Sequence, residues 1–433
     1  MKKSLVALAT LSLIGSAFAV DIISNETNKV EVYGILDAGV ASVQHSLAGS
    51  STFPSTYSPL DAVTKTAVPN SNSGLINGGM QDSRIGFRGT RDLGEGMKAF
   101  FTAESGFNLT TGRLNDAGRC LSTGGTSTES CSNSSMMGQL FGRQAFVGLS
   151  DEKAGSIQIG RNYNMVYDVF TSYDPAMKSD LFSPLGISGT IGGGGGISEN
   201  SRIDNSIKYK NKVGDVNFGL LLGAGNQNGV KDAGTGWIAQ LGYESGDFGI
   251  QVVTQKFENV LKGAADTATY DNVKVYSVNL ESTLVALKYK ANDKITLKGG
   301  VENYTISNSS TTYTTSSLQN FYGYKTSYVY NMKDGTVETA PVTVTFLGGD
   351  WNATPKLNVA LGLYNMSYGK STGAAYNSAA YSINATSVIL DYKLDKQTDT
   401  YVGLMFTDYS GDKITSSYWP SNSVVGMGVR YKF

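Results

Sequence analysis

SVVGMGVRYKF, residues Ser423–Phe433, closes the chain and decides how the rest of it is read. Val425, Met427, Val429, Tyr431 and Phe433 fall on one side of an extended strand. Val424, Gly426, Gly428, Arg430 and Lys432 fall on the other. Successive side chains of a strand point to opposite faces, so this is one apolar stripe and one small or polar stripe. Alone it fits a half-buried strand of any β protein, a soluble sandwich included. The pattern repeats: Val216, Phe218, Leu220 and Leu222 alternate with Asn217, Gly219, Leu221 and Gly223. Leu357, Val359, Leu361 and Leu363 alternate with Asn358, Ala360, Gly362 and Tyr364.

Turn signals separate such segments along the chain. Seven are short: 92–95, 151–155, 211–215, 245–247, 291–293, 352–356 and 395–398. Eight polar loops rich in Ser, Thr, Gly and Asn lie between them, near 46–80, 110–138, 164–200, 225–234, 259–272, 308–340, 370–382 and 410–421. Fifteen connections imply sixteen strands, with both ends on the short-turn side. An even strand number with short turns at one end and long loops at the other marks an all-β, antiparallel transmembrane barrel of the outer-membrane type. The segment 308–340 carries a strand-like piece of its own, GYKTSYVYN, and is read as an elaborated loop.

Composition agrees. The 433 residues hold 52 Gly and 25 Tyr but 8 Pro, and 16% are charged, against the charge and proline of disordered chains. A mean hydropathy of −0.16 suits strands with one lipid face and polar loops. Met1–Ala19 reads as a secretory signal peptide: Lys2 and Lys3, a mostly apolar run Leu5–Ile14, then the small-x-small site Ala17–Ala19. That leaves 20–433 as one exported domain. No later run of 18 apolar residues offers a helical span.

Basic and acidic residues nearly balance, 35 against 36, which speaks against a nucleic-acid partner. His45 is the single histidine, so multi-histidine metal sites are excluded and one candidate general base remains. No enzyme, metal or cofactor is expected. Cys120 and Cys131 lie in the polar stretch CLSTGGTSTESC, and an oxidising compartment favours a local disulfide between them.

Several segments resemble the Gram-negative general porins. YGILDAGV, from Tyr33, is similar to that family's first strand. SRIGFRGTRDLGEGMKAFFTAESGFNL, Ser83–Leu109, is similar to its second and third. LFGRQAFVGL (Leu140–Leu149), Ile159–Arg161 and RIDNSIKY (Arg202–Tyr209) resemble the fourth to sixth. The resemblance is carried by motifs from Val30 to about Tyr209, and by pattern and spacing beyond. It implies a homotrimer in outer-membrane lipid, whose water-filled channels pass small hydrophilic solutes and ions. It also implies that the C-terminal aromatics, Tyr431 and Phe433, serve as an assembly signal.

Heights along the strands follow from counting. Arg84 stands eight residues before Asp92, Arg143 eight before Asp151, Arg202 nine before Asn211, Glu104 nine after Glu95, and Asp37 eight after Lys29. In a strand tilted by about 45°, eight residues climb roughly 19 Å of an apolar belt about 25 Å tall. A lipid-facing Arg at that depth costs about 2–4 kcal/mol, so these charges are expected on the lumen side. Ion pairing between neighbouring strands is the structural alternative. Arg161 shares the parity of Ile157 and Ile159, which leaves its side open. The strand of Arg143 shows no cleanly apolar face, as a subunit contact would allow.

In the resembled family the third long loop, here Asn164–Asn200, folds into the barrel. It carries Asp168, Asp174, Lys178, Asp180 and Glu199. The resemblance thus implies a constriction of basic wall (Arg84, Arg143, Arg202, with Arg161, Asp37 and Glu104) against an acidic loop; a solvated loop of ordinary surface acids is the alternative. Gly192–Gly196 lacks the Lys-Ser/Thr and the helix of a phosphate loop. A barrel whose loops serve as a receptor or adhesin surface is the competing function.

Overall fold

The computed structural model describes residues 19–45, 71–112, 140–185, 201–227, 229–265, 272–309, 311, 313–316, 320–321, 324–331, 340–369, 371–373, 376–378, 380–411 and 421–433. The expected signal peptide, apart from Ala19, lies outside these residues. So do Cys120, Cys131, Gly192–Gly196 and Glu199.

The main sheet has twenty strands. Val20–Ser24, Asn320–Phe321 and Tyr324–Asn331 are additions to the wall, and Ser71–Asn77 and Arg84–Gly94 are two halves of one wall strand. Sixteen wall strands remain. They are β1 (Asn28–His45), β2 (Ser71–Asn77 with Arg84–Gly94), β3 (Met97–Gly106), β4 (Gln144–Asp151), β5 (Gly155–Tyr163), β6 (Arg202–Val213), β7 (Val216–Ala224) and β8 (Thr235–Ser245). Then come β9 (Phe248–Ala265), β10 (Asn272–Lys290), β11 (Ile295–Asn308), β12 (Ala340–Asn352), β13 (Leu357–Tyr368), β14 (Tyr381–Lys393), β15 (Thr398–Gly411) and β16 (Ser421–Lys432).

Neighbours pair antiparallel, and β1 pairs with β16 from Ile35↔Lys432 to His45↔Asn422, which closes the wall. Phe433 exchanges both backbone hydrogen bonds with Gly34. Below that seam Val20–Ser24 pairs with the foot of β1, so this segment and the C-terminal strand share one wall position. Closure satisfies each strand edge internally, as a membrane interior demands.

The two stripes of each strand separate as expected. Val425, Met427, Val429 and Tyr431 are exposed on the outer face, while Val424 and Arg430 are buried inward. Leu220 and Leu222 point out and Leu221 points in; Leu361 and Leu363 point out and Ala360 in. Three expectations change. The loop placed near 46–80 ends sooner, because Ser71–Asn77 pairs with β1 as the upper half of β2. The loop placed at 259–272 is much shorter, because β9 runs to Ala265 and β10 begins at Asn272. A register shift between Phe257 and Val260 interrupts the alternation there, so the strand reads as ended too early. The strand of Arg143 does have an apolar outer face, with Val147 and Leu149 exposed. The strand-like piece in 308–340 forms Tyr324–Asn331 and pairs in parallel with the upper end of β10.

The core lies inside the barrel. One helix, α1 (Met165–Tyr173), follows β5 directly, capped by the Asn164 side chain, which accepts from the Val166 N–H. Its apolar face, Met165, Val166, Val169 and Phe170, is buried against Leu221, Ile238, Leu284, Val344 and Phe346 of the wall. Val, Phe and Met at this spacing form one helical face. Beyond α1 the chain crosses to β14–β16. There Gly403 and Gly426 leave room for the Phe182 ring, which a Cβ at Gly403 would meet at 2.6 Å. Ser387 Oγ donates to the Phe182 carbonyl.

Wall strand β2 breaks at Gly78–Ser83, and Asp37 holds the break. Its carboxylate accepts from the N–H groups of Gly79 (3.3 Å), Met80 (3.0 Å) and Gln81 (2.8 Å) and from the Tyr401 hydroxyl (2.6 Å). The broken segment then meets the loop: Leu181 N–H donates to Gly79 O, Asp180 N–H to Met80 O, and Ser179 Oγ to Gly79 O. Removing the carboxylate strands three backbone donors in a buried place. Asp37→Ala should cost about 3 kcal/mol, read as a lower urea midpoint for unfolding in detergent. Asp37→Asn, which keeps one acceptor oxygen, should lose less.

Candidate pore constriction

A cavity of about 160 Å³ opens between the first strands and the infolded loop. Asp82, Arg84, Glu104, Arg143, Tyr163, Tyr167, Asp168, Lys178 and Asp180 are among its lining residues. Each wall member arrives by strand parity. Arg84 starts the second half of β2, Glu104 is near the end of β3, and Arg143 directly precedes β4.

Glu104 is the hub. Its carboxylate accepts from Arg143 Nε (2.7 Å), the Tyr163 hydroxyl (2.9 Å) and the Tyr33 hydroxyl (2.9 Å), with Arg84 Nε at 3.9 Å. Arg143 Nη1 reaches Asp82 at 3.1 Å. Tyr163 and Tyr167 stack with ring centres 4.4 Å apart. Arg202 lies over both rings, at 5.4 and 5.9 Å, and Lys178 lies 4.0 Å from the Tyr167 ring centre. A cation over an aromatic face is attracted by the ring quadrupole, and more strongly where water is scarce. So two stacked tyrosines hold two cations of the same sign near one another.

The loop acids divide. Asp168 accepts from Lys208 Nζ (2.7 Å) and Lys210 Nζ (2.6 Å). Burial opposes its charge, yet the two ammonium groups prevail and hold the carboxyl below its ordinary range. Asp174 sits against the far wall, where it accepts from the Tyr364 hydroxyl (2.5 Å) and from the N–H groups of Ala176 (3.2 Å) and Lys178 (2.7 Å). Burial pushes its carboxyl up, against those hydrogen bonds. Asp180 lines the cavity with Lys178.

Four expected members are not among the lining residues: Arg202 stands behind Tyr163 and Tyr167, and three others lie apart. Asp37 is committed to the β2 break, and Asp174 to β13. Arg161 pairs with Asp204 and donates from Nε to Gly142 O at 2.7 Å. A register shift between Gly160 and Asn162 opens its place. Gly160 has φ +140°, and a Cβ there would lie 2.2 Å from Ala145 O, so the shift needs glycine. His45 ends β1.

Sequence reasoning overlooked Asp82, Tyr163, Tyr167, Lys208 and Lys210. The two lysines share the parity of Arg202 and could have been found. The tyrosine stack joins a strand end to a helix, which no single period reveals. A second charge cluster, Arg430 with Asp391 (3.1 Å) and Asp399 (2.9 Å), and Lys432 with Asp399 (2.9 Å), lines the inner face of β14–β16.

Residues 4–412 match the family model described as Gram-negative porin. An outer membrane porin protein of Bordetella pertussis is 30% identical over 249 residues, 57% of this chain and 53% of that protein. The chain spans about half the length of the curated relatives it matches first. Among solved structures, the anion-selective porin from Comamonas acidovorans shares the fold with a TM-score of 0.61 at 17% identity, over 94% of this chain and 100% of that one. The trimer form of OmpT, an outer membrane protein of Vibrio cholerae, gives 0.56 at 11% identity, over 94% and 100%.

Asp168→Asn leaves two ammonium groups facing each other under α1. Breaking a buried pair of this kind costs on the order of 3 kcal/mol. Amide exchange across Met165–Tyr173 should then quicken by about a hundredfold. In the natural chain a carboxyl held low keeps this contribution above its ordinary pKa of about 3.9, and loses it as pH falls further, through the lowered value. Exchange at α1 should therefore be insensitive to this pair from pH 7 to about pH 4 and rise below that.

Proposed function

The chain belongs to the Gram-negative porin family, and from that premise we propose that it is a passive, water-filled outer-membrane channel for small hydrophilic solutes and ions. The observation that carries this reading is the charged cavity between β2–β6 and the infolded loop. Sixteen strands leave room for an aqueous path. α1 fills the lumen beside β7–β12 with apolar contacts, which directs the path to the polar side.

The constriction, on this reading, sets Arg84, Arg143, Arg202 and Lys178 against Asp82, Glu104, Asp168 and Asp180. Charged rings at a narrow point govern which ions pass. Asp37, Asp174 and Arg161 hold the frame: the β2 break, the far end of α1 and the β5–β6 shift. The exported form begins after Ala19 and assembles as a homotrimer, as the trimer form of the Vibrio cholerae protein supports. Its terminal Tyr431 and Phe433 serve in assembly, and a Cys120–Cys131 disulfide staples the second long loop.

Planar-bilayer conductance of detergent-purified protein under a salt gradient tests this. The expected record is open channels with steps arriving in threes. Arg84→Ala with Arg202→Ala should move the reversal potential toward cation preference. Folded protein that conducts nothing overturns the open channel, and single steps without grouping overturn the trimer.

A further inference from the structure

The outer face of β9–β14 changes character at one height. Lipid-facing apolar side chains end at Val252, Val285, Val301, Leu347, Leu363 and Val388, one on each of these six strands. They stand four to six residues above the strand foot. The next outward positions, Thr254, Thr283, Asn303, Thr345, Asn365 and Thr386, are all polar, and several side chains of this band bond across strands. Thr283 donates to Thr254 (3.1 Å), Thr343 to Asn303 (2.7 Å) and Asn365 to Asn384 (2.7 Å). Just above them Lys256 pairs with Glu281 at 2.6 Å, both half exposed.

On β8, β15 and β16 the apolar stripe climbs higher. Trp237 on β8 and Phe406 on β15 are exposed eight residues above the foot, and Val425 on β16 seven above. Six residues of a strand tilted about 45° rise roughly 14 Å, well short of an apolar belt about 25 Å tall. A short stripe thins the bilayer beside it rather than exposing polar groups to hydrocarbon. A charged pair is also costly at mid-bilayer and nearly free at its surface.

We propose that the outer-leaflet boundary dips along β9–β14, and that lipid headgroups descend to hydrogen-bond this band. The occupant is lipid rather than protein, for two reasons. The band follows one level around six strands, as a planar bilayer surface does, whereas a protein contact is a patch bounded on every side. It also has no large aromatic or Arg anchor of the kind that carries protein interfaces.

The test places one nitroxide label at Thr345→Cys (β12, seven above the foot) or Val425→Cys (β16, also seven above). The background is Cys120→Ser with Cys131→Ser, in dioleoyl-phosphatidylcholine vesicles. Collision with a water-soluble nickel chelate should be several-fold greater at position 345 than at 425, with oxygen collision ordered oppositely. Equal depth at the two sites overturns the dip. Shielding of position 345 from both reagents overturns the lipid occupant in favour of a second protein. If the cysteine-free background does not fold, Thr345→Trp and Val425→Trp in the natural chain read the same depth by mid-chain brominated-lipid quenching. Stronger quenching at 425 supports the dip, and equal quenching overturns it.

Discussion

The interior of this barrel hangs on a buried carboxylate. Asp37 gathers three backbone N–H groups of the β2 break and the Tyr401 hydroxyl. The break, so held, presents Gly79 and Met80 as acceptors for loop residues 179–181. The loop in turn seats Phe182 over Gly403 and Gly426. Without the break, β2 would pair along its whole length and offer the loop no backbone acceptors. A wall strand is thus interrupted in order to dock a loop.

A second constraint is polarity. Each wall strand must be apolar outside, but the inside is divided. Beside β7–β12 an apolar patch lies among Gln251, Gln255, Ser282 and Glu302, and α1 covers the patch. Beside β2–β6 it carries ionised groups that are paired or lie over tyrosine rings. Such pairing lets charges stand deep in the membrane without facing lipid. The same arrangement leaves a narrow polar side on which both signs of charge meet.

Much of this was legible beforehand. Val425–Phe433 showed the outward stripe, and the spacing of turns gave the number of wall strands. Counting from turns brings Arg84, Glu104, Arg143 and Arg202 to one level, and Glu104, Arg143 and Arg202 meet at Tyr163, with Arg84 beside Glu104. What could not be read depended on local departures from period two. Arg161 keeps the side of Ile157 and Ile159, and its partner Asp204 stands at the irregular stretch of β6; the shift beyond Phe257 hides the upper part of β9. Asp37 and Asp174 looked like pore charges because a sequence does not show which backbone N–H groups will surround a carboxylate. Asn164 with Met165, Val166, Val169 and Phe170 did carry a helix start and an apolar face. Nine residues inside a long polar segment are too few for that period to stand out.

On the proposed reading, α1, docked by its apolar face, confines the aqueous path to the β2–β6 side. Phe170, whose ring meets Phe346 at 5.7 Å, is the place to test it. Single-channel conductance of Phe170→Glu should rise clearly above that of the natural chain, because a charge in the apolar cluster expels the helix from the wall. An unchanged step size, in protein whose α1 amides exchange faster and so have come loose, would contradict the account.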